Sequence, residues 1–209
     1  MSEDGKVCGG RAVTILDQIL KPVGLQTMPV CGTAARIYRQ LDSGDMDMGI
    51  STITNPLVNH AHTFLTPAYT ELVLVLYSHP VPVADADSNS VVAIRGFEYQ
   101  GQRLLMQQQG YKFIEMPDAV SAIGFFLHQR AQHLISYQDP FLYYLQQLGS
   151  GALPAIRQQQ LMTVDAQLVV SARSVYKDRI IQALATFAAT RNCRYLTECA
   201  QSGPATPVN

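Results

Sequence analysis

The sequence predicts an α/β protein made of two successive runs of strands and helices. Short apolar segments of strand length alternate with amphipathic segments of helical period, and this alternation favours a parallel sheet with helices on both faces. The two runs are separated by the segment HPVPVADADSNS, whose prolines and small polar residues are typical of a loop or linker. The composition indicates a packed protein, because 47% of the 209 residues are apolar and only 15% are charged.

The first run is predicted to contain two helices and three strands. Thr33 is a suitable N-cap for the second helix, and Ser43 with Gly44 is a typical helix end. The helices are predicted over residues 12–21 and 33–41, and the strands over 26–30, 46–50 and 70–78.

The second run repeats this pattern, and a closing strand and helix follow it. Asp118 is the predicted N-cap of the middle helix, and the glutamine cluster at 158–160 is interpreted as a solvated helix face. Strands are predicted over 91–94, 112–116, 133–137 and 168–171, and helices over 101–109, 118–127, 140–148 and 175–190.

Charge and motif content exclude several classes of function. A formal net charge of −1 gives no electrostatic basis for binding nucleic acid or an anionic membrane. The sequence contains no GxSxG, HExxH, P-loop or GxGxxG motif. No apolar run reaches the ~20 residues of a membrane span. The opening residues MSEDGK lack an apolar segment, so no signal peptide is expected.

The four cysteines, at positions 8, 31, 193 and 199, leave two interpretations open. No CxxC pair occurs, which disfavours a zinc ribbon or a thioredoxin-like motif. The cysteines are either free thiols or disulfides formed in an oxidising compartment. A bridge from Cys8 to Cys31 is feasible between neighbouring loops of a doubly wound lobe. A bridge from Cys193 to Cys199 requires a helix to end between them, because residues six apart point to different faces of a straight helix.

Two histidines, His60 and His62, flank Ala61 in a segment expected to be extended. Side chains at i and i+2 of an extended segment face the same side, so the pair could hold a metal ion. No third ligand lies nearby in sequence, and exposed loop histidines are therefore the prediction. Neither a metal nor a cofactor is expected.

The stretch from Tyr38 to Tyr69 has a distinctive order of elements: a helix ending in Ser-Gly, an apolar strand with a Ser- and Thr-rich end, and an aromatic segment containing proline. This order resembles the first-lobe core of bacterial extracellular solute-binding proteins of family 3, the type II periplasmic binding proteins. Later segments, VVAIRGFEYQG, RAQHLISYQDP and LVVSARSVYKDRIIQALATF, are similar to other parts of that family. The matching residues are Leu41, Ser43, Gly44, Asp45, Asp47, Thr54, Phe64, Thr66, Pro67 and Tyr69.

The resemblance implies a fold of two lobes, each a doubly wound sheet flanked by helices, with a ligand cleft between them. Residues 1–78 and 165–209 would form lobe 1, and residues 79–164 would form lobe 2. The hinge is expected near residues 76–80 and 162–168. A protein of this family works in the periplasm or elsewhere outside the cytoplasm.

Ligand contacts are expected beyond the carboxyl ends of the strands. The predicted ligand-binding residues are Arg36, Ser51, Thr52, Thr54 and Tyr69 in lobe 1, and Arg95, Gly96, Phe97, Tyr137 and Asp139 in lobe 2. Each of these lobe 1 residues also has a structural explanation without a ligand. The Ser and Thr side chains would serve ordinary turn chemistry, Tyr69 would be a core residue, and Arg36 would be an exposed helix arginine.

Two positions depart from the family pattern. Val58 lies at or next to the place of the arginine that clamps a ligand carboxylate, and Phe97 replaces a Ser or Thr of the second-lobe turn. We therefore expect a cleft that is altered or more apolar. An ordinary amino acid would bind well only if Arg95 or Arg36 replaced the missing arginine.

The predicted function is extracytoplasmic binding of a small polar solute, as the substrate-binding component of an ABC-type transporter for an amino acid or related compound. The partners would be that solute and a membrane permease, with no nucleic acid. One alternative is a ligand-sensing input domain attached to a signalling domain. Another is an enzyme similar to cyclohexadienyl dehydratase, for which Glu98 or Asp139 would be the general acid.

Overall fold

The computed structural model describes residues 9–30, 32–149, 155–191 and 193–200. Two single turns of 3-10 helix, Lys21–Val23 and Tyr99–Gly101, accompany the regular elements. In chain order these elements are α1 (Arg11–Leu20), α2 (Ala34–Ser43), β1 (Met48–Ser51), β2 (Thr63–Phe64), β3 (Thr70–Ser78), β4 (Ser90–Ile94), α3 (Gln102–Gln108), β5 (Lys112–Met116), α4 (Ala119–Leu127), β6 (His133–Tyr137), α5 (Gln138–Leu148), β7 (Arg157–Val170), α6 (Lys177–Ala189) and α7 (Leu196–Cys199).

The chain divides into two compact units. The first unit comprises Met1–Glu71 and Asp165–Asn209, and the second comprises Leu72–Val164. The lobe bounds and the hinge expected from the sequence stay predictions, and each unit is described by itself below.

In the first unit, the end of β7 lies between β1 and β2. Val170 is the register partner of Met48 on one side and of Thr63 on the other, and both pairings are antiparallel. Because side chains alternate along a strand, β7 supplies two different cores. Leu168 and Val170 face a cluster formed with α1 and α6, whereas Val169 faces a smaller cluster with α2.

The ends of the first-unit helices follow the sequence signals. Gly44 adopts φ +85° and donates its N–H to the carbonyls of Gln40 and Leu41, which confirms the predicted end of α2. A β-carbon at Gly44 would lie 2.9 Å from Cβ of Arg173, so glycine is required there for space as well as for conformation. This turn leads toward β1, which begins at Met48.

The second unit has a mixed sheet in the order β3-β6-β4-β5. β3 pairs antiparallel with β6, while β4 is parallel to both β5 and β6. Val75 and Tyr77 face one core with α4 and α5, and Leu74 and Leu76 face the other with α3. Asp118 caps α4 by accepting the N–H of Ser121 at 2.7 Å, as predicted.

Three details of the sequence interpretation are wrong. Parallel pairing holds for β4, but β1 and β2 pair antiparallel, because β7 runs back beside them. Residues 26–30 form no strand; Pro29 has no N–H to contribute to a ladder. β7 begins at Arg157 rather than 168, so the glutamines at 158–160 belong to a strand. Their exposed, polar side chains conceal the period of two on which strand prediction depends.

A disulfide joins Cys193 to Cys199, whose Cα atoms are 5.4 Å apart. The expected helix end between them lies elsewhere, because α6 stops at Ala189, before Cys193, and α7 begins at Leu196. The two cysteines therefore do not share one straight helix, and this is what the bridge needs. Cys199 is fully buried in the α1/α6 core. Cys8 and Cys31 lie outside the described residues.

Candidate functional site

A cluster of neutral polar side chains surrounds the carboxyl end of β1. The Asn55 amide nitrogen donates to the Tyr38 hydroxyl at 2.8 Å and to the Ser51 hydroxyl at 3.0 Å. The two hydroxyl oxygens are themselves 3.1 Å apart. Tyr38 comes from α2, Ser51 is the last residue of β1, and Asn55 lies in the turn that follows. Helix, strand and turn thus converge on one point.

The turn after β1 is built to hold Asn55 in place. Its backbone N–H donates to the Thr52 carbonyl at 3.1 Å, and its side-chain oxygen accepts the N–H of Leu57 at 3.0 Å. An Asn side chain that bonds the backbone two residues on is a common turn device. With its oxygen fixed in this way, the Asn55 amide must direct its nitrogen toward the two hydroxyls.

Gln167 of β7 is the register partner of Ser51. Directly opposite residues in an antiparallel pair project to the same face, so the Gln167 amide extends toward the side occupied by Tyr38 and Asn55. Its side-chain oxygen is buried and has no hydrogen-bond partner among the described residues. A buried acceptor left unpaired costs about 1–3 kcal/mol, so this amide oxygen is the group of the cluster that most lacks a donor.

The predicted ligand-binding residues of the first unit lie in three environments: in or beside the polar cluster, in the core, and exposed on the surface. Ser51 lies in the polar cluster, and Thr52 is buried beside it, whereas Thr54 is exposed. Tyr69 is 8% exposed and packs in the α1/α6 core, which agrees with the core alternative. Arg36 is exposed on α2.

Val58, at or next to the expected position of the arginine, is a core residue. It is 4% exposed and packs with Leu41 and Val169. The valine side chain therefore contributes to packing, and burial of a charged side chain in its place would carry a desolvation cost.

In the second unit, Arg95, Gly96 and Phe97 form the turn after β4. Gly96 adopts φ +74°, a conformation that favours glycine, and Arg95 is exposed. No pattern in the sequence predicts that Arg103 holds this turn. Its guanidinium, buried and lying 4.6 Å from the Phe113 ring, donates to the carbonyls of Phe97 at 2.7 Å and Ile94 at 3.1 Å and bonds the Glu115 carboxylate.

Tyr137 and Phe97 are brought together by a shared neighbour. Both rings contact Tyr99, with centroid distances of 6.3 Å and 5.8 Å. The Tyr137 hydroxyl also accepts a hydrogen bond from the Gln100 side chain at 3.2 Å.

Asp139 is exposed in the first turn of α5. Burial, with a smaller contribution from the Asp139 charge, raises the pKa of nearby Tyr77 to about 12.

His62 and His60 have different environments. His62 is buried, and its Nδ1 accepts the N–H of Ala172 at 3.1 Å, so its Nε2 donates to the Asp42 carboxylate at 2.9 Å. The expectation of two exposed histidines is wrong for His62, which links α2 to the end of β7. Within the part of the chain that the structure describes, no group of three or more His, Cys, Asp or Glu residues could hold a metal ion.

Comparison with known proteins finds similar folds among solved structures. No family model matches the sequence, and no match is found among curated proteins. A histidine kinase sensor domain with similarity to periplasmic binding proteins aligns with a TM-score of 0.68 at 15% identity, covering 93% of this chain and 86% of that one.

Two further structures extend the range of neighbours. The arginine-, lysine-, histidine-binding protein ArtJ from Geobacillus stearothermophilus has a TM-score of 0.65 at 19% identity, covering 91% of this chain and 83% of its own. The ancestral amino-acid-binding protein AncCDT-1, a precursor of cyclohexadienyl dehydratase, has a TM-score of 0.63 at 13% identity, covering 91% and 81%.

This chain has the two-lobed type II periplasmic-binding-protein fold. The predicted fold class is confirmed, and the resemblance to extracellular solute-binding proteins is confirmed at the level of the fold. In this type II fold, the polar cluster of the first unit lies at the carboxyl end of a strand, the usual ligand position in open α/β sheets. None of the described helices is long and apolar enough to cross a membrane.

Proposed function

We propose that the chain binds a small polar solute outside the cytoplasm, as the substrate-binding component of an ABC-type transporter for an amino acid or a related compound. The observation that carries this proposal is the cluster of Tyr38, Ser51 and Asn55 with the unpaired amide oxygen of Gln167. The solved neighbours of this fold include amino-acid-binding proteins, which supports the proposal that this cluster contacts the solute.

The chemistry of the cluster defines what it would recognise. It offers hydroxyl and amide groups and no charge, so it suits the hydroxyl, amide or ammonium groups of a solute, and the charge of a carboxylate would have to be balanced by a group outside the cluster. The Gln167 oxygen in particular requires a donor. Recognition of a carboxylate by Arg36 or Arg95 stays a prediction; both side chains are exposed.

Localisation outside the cytoplasm is supported by the bond between Cys193 and Cys199. Disulfides form and persist in oxidising compartments and are rare in the cytosol.

A sensing role would use the same binding chemistry with a different partner. The sensor-domain neighbour supports this alternative, in which solute binding controls an attached signalling domain instead of delivery to a permease. The genes adjacent to this one discriminate the two roles, since a permease and an ATPase point to transport and a kinase or cyclase points to sensing.

The dehydratase alternative has less support. Its candidate general acids, Glu98 and Asp139, are both exposed, and neither is enclosed within the second unit. We therefore propose binding rather than turnover.

A thermal-shift screen tests the proposal. The panel comprises amino acids, short peptides, polyols and organic acids, and a ligand at a hundred times its Kd should stabilise the protein by about 2.7 kcal/mol. Ser51→Ala should remove most of the shift given by a hit, while Ser43→Ala, a change at an exposed serine of the same unit, should leave it intact.

Each variant is compared with itself in the absence of the compound, so a general loss of stability does not imitate a loss of binding. If no compound of the panel stabilises the wild type, or if Ser51→Ala keeps the full shift, the proposed site is wrong.

A further inference from the structure

A groove of about 770 Å³ runs over the first unit between α6 and the segment formed by α1 and its following turn. Its lining on α6 recurs at intervals of three and four residues, from Arg179 through Ala183 and Phe187 to Thr190. This spacing places the lining on one helix face, which extends for about 16 Å along the axis. Groove and polar cluster share no residue.

The floor of the groove is apolar. Ile19 and Ala183 are buried beneath it, Phe187 is half-buried, and Val23 is 42% exposed at its edge. A cavity of this size, with an apolar floor and a few polar groups, has the character of sites that bind small organic molecules.

Arg191 lies at one end of the groove in a fixed orientation. Its guanidinium carbon is 3.9 Å from the centre of the Phe187 ring, and one terminal nitrogen donates to the Thr190 hydroxyl at 3.3 Å. Its Nε is buried without a hydrogen-bond partner among the described residues, and no described carboxylate forms an ion pair with it. A guanidinium held over an aromatic ring can still present its planar fork of N–H donors to an oxyanion.

The other end of the groove carries the same charge. Arg179 donates to the Val23 carbonyl at 2.7 Å, which holds its side chain across the groove. Among the described residues, those that line the groove include these two arginines and no aspartate or glutamate. Its charge complements an anion, and its floor complements an apolar body.

We propose that this groove is a second binding site, which takes an elongated organic anion with an apolar body and a carboxylate. The carboxylate is held by Arg191, and the apolar body lies on Phe187, Ile19 and Val23. The site is independent of the proposed solute site, because it uses other residues on a different face of the first unit.

Titration of the full chain with decanoate, followed by amide chemical-shift changes in NMR spectra, tests the proposal. We expect saturable changes confined to α1, its following turn and α6. Decanol and decylammonium, which have the same apolar body without the negative charge, should bind at least tenfold more weakly. Arg191→Gln should weaken decanoate binding about tenfold to a hundredfold, the effect of losing a bidentate charge-assisted pair.

Arg130→Gln is the matched control, since that guanidinium also lies near an aromatic ring, 5.9 Å from Phe125, but outside the groove. Arg191→Lys keeps the charge and loses the planar edge, so it should bind decanoate with intermediate affinity. Equal binding of decanol and decanoate, shift changes spread over both units, or unchanged affinity in a folded Arg191→Gln variant would overturn the proposal. A negative result for the solute screen leaves this test unaffected.

Discussion

Replacement of Gln167 by methionine tests whether the Gln167 amide binds a ligand or stabilises the fold. Methionine has a similar length and shape, so it keeps the packing of β7 while removing a buried oxygen that has no partner among the described residues. If the amide is retained for a ligand, the variant should gain stability and lose affinity.

The magnitudes follow from the cost of the unpaired oxygen. Removing a buried, unsatisfied acceptor should stabilise the protein by about 2 kcal/mol, within a range of about 1–3. For a chain of 209 residues this corresponds to a rise in Tm of about 4–8 °C. One lost hydrogen bond to the solute, about 1.5 kcal/mol, weakens binding about tenfold.

The assay combines thermal unfolding without ligand with calorimetric titration of the most stabilising compound from the screen. Gln160→Met is the matched control, because Gln160 belongs to the same strand but is exposed, and it should change neither quantity much. A fall in Tm with unchanged affinity for Gln167→Met would refute the reasoning, since it would show that the amide is satisfied within the protein.

Three further predictions concern stability. Asn55→Ala removes three side-chain hydrogen bonds and should lower the free energy of unfolding by about 2 kcal/mol in urea titrations. Arg103→Lys cannot reproduce the fork that bonds two carbonyls and a carboxylate, and should cost about 2–4 kcal/mol. Burial lowers the pKa of His133, so the folded state binds its proton less readily than the unfolded chain. Stability should therefore fall as the pH drops below about 6.5, and His133→Gln should reduce that dependence.

Each of these variants has a control elsewhere in the chain. Asn59→Ala loses only the bond to the Ala61 N–H, Arg130→Lys changes an exposed arginine, and His128→Gln changes an exposed histidine. An equal loss of stability in a control and its partner would contradict the assigned contacts. For His133, an unchanged pH dependence in the variant would do so.

The fold was largely predictable because its signals are local. The end of α2 depends on Gly44 and the start of α4 on Asp118, and both are recognisable within a few residues. The first half of β7 was not predictable, since its edge exposes glutamines and its partners come from distant parts of the chain. Strand pairing is a non-local property that a local period does not encode.

The candidate site was predicted less completely. Ser51 was found because strand ends are recognisable, but Tyr38, Asn55 and Gln167 join it only through tertiary contacts. Sequence spacing gives no direct sign that residues 38 and 167 share a face. The register of β1 with β7 supplies that information.

The link between Cys193 and Cys199 has a consequence for how the protein is made. Four cysteines allow three ways of forming two bridges, and only one of those three contains this link. The bridge closes a short loop that contains α7, and the Leu196 N–H of this helix bonds the Ala68 carbonyl, so the bridge helps to secure α7 to a segment made much earlier. Production in a reducing cytosol would leave that helix unsecured and the wrong partners accessible. Export into an oxidising compartment, or refolding with a disulfide isomerase, is the route that should yield uniform material.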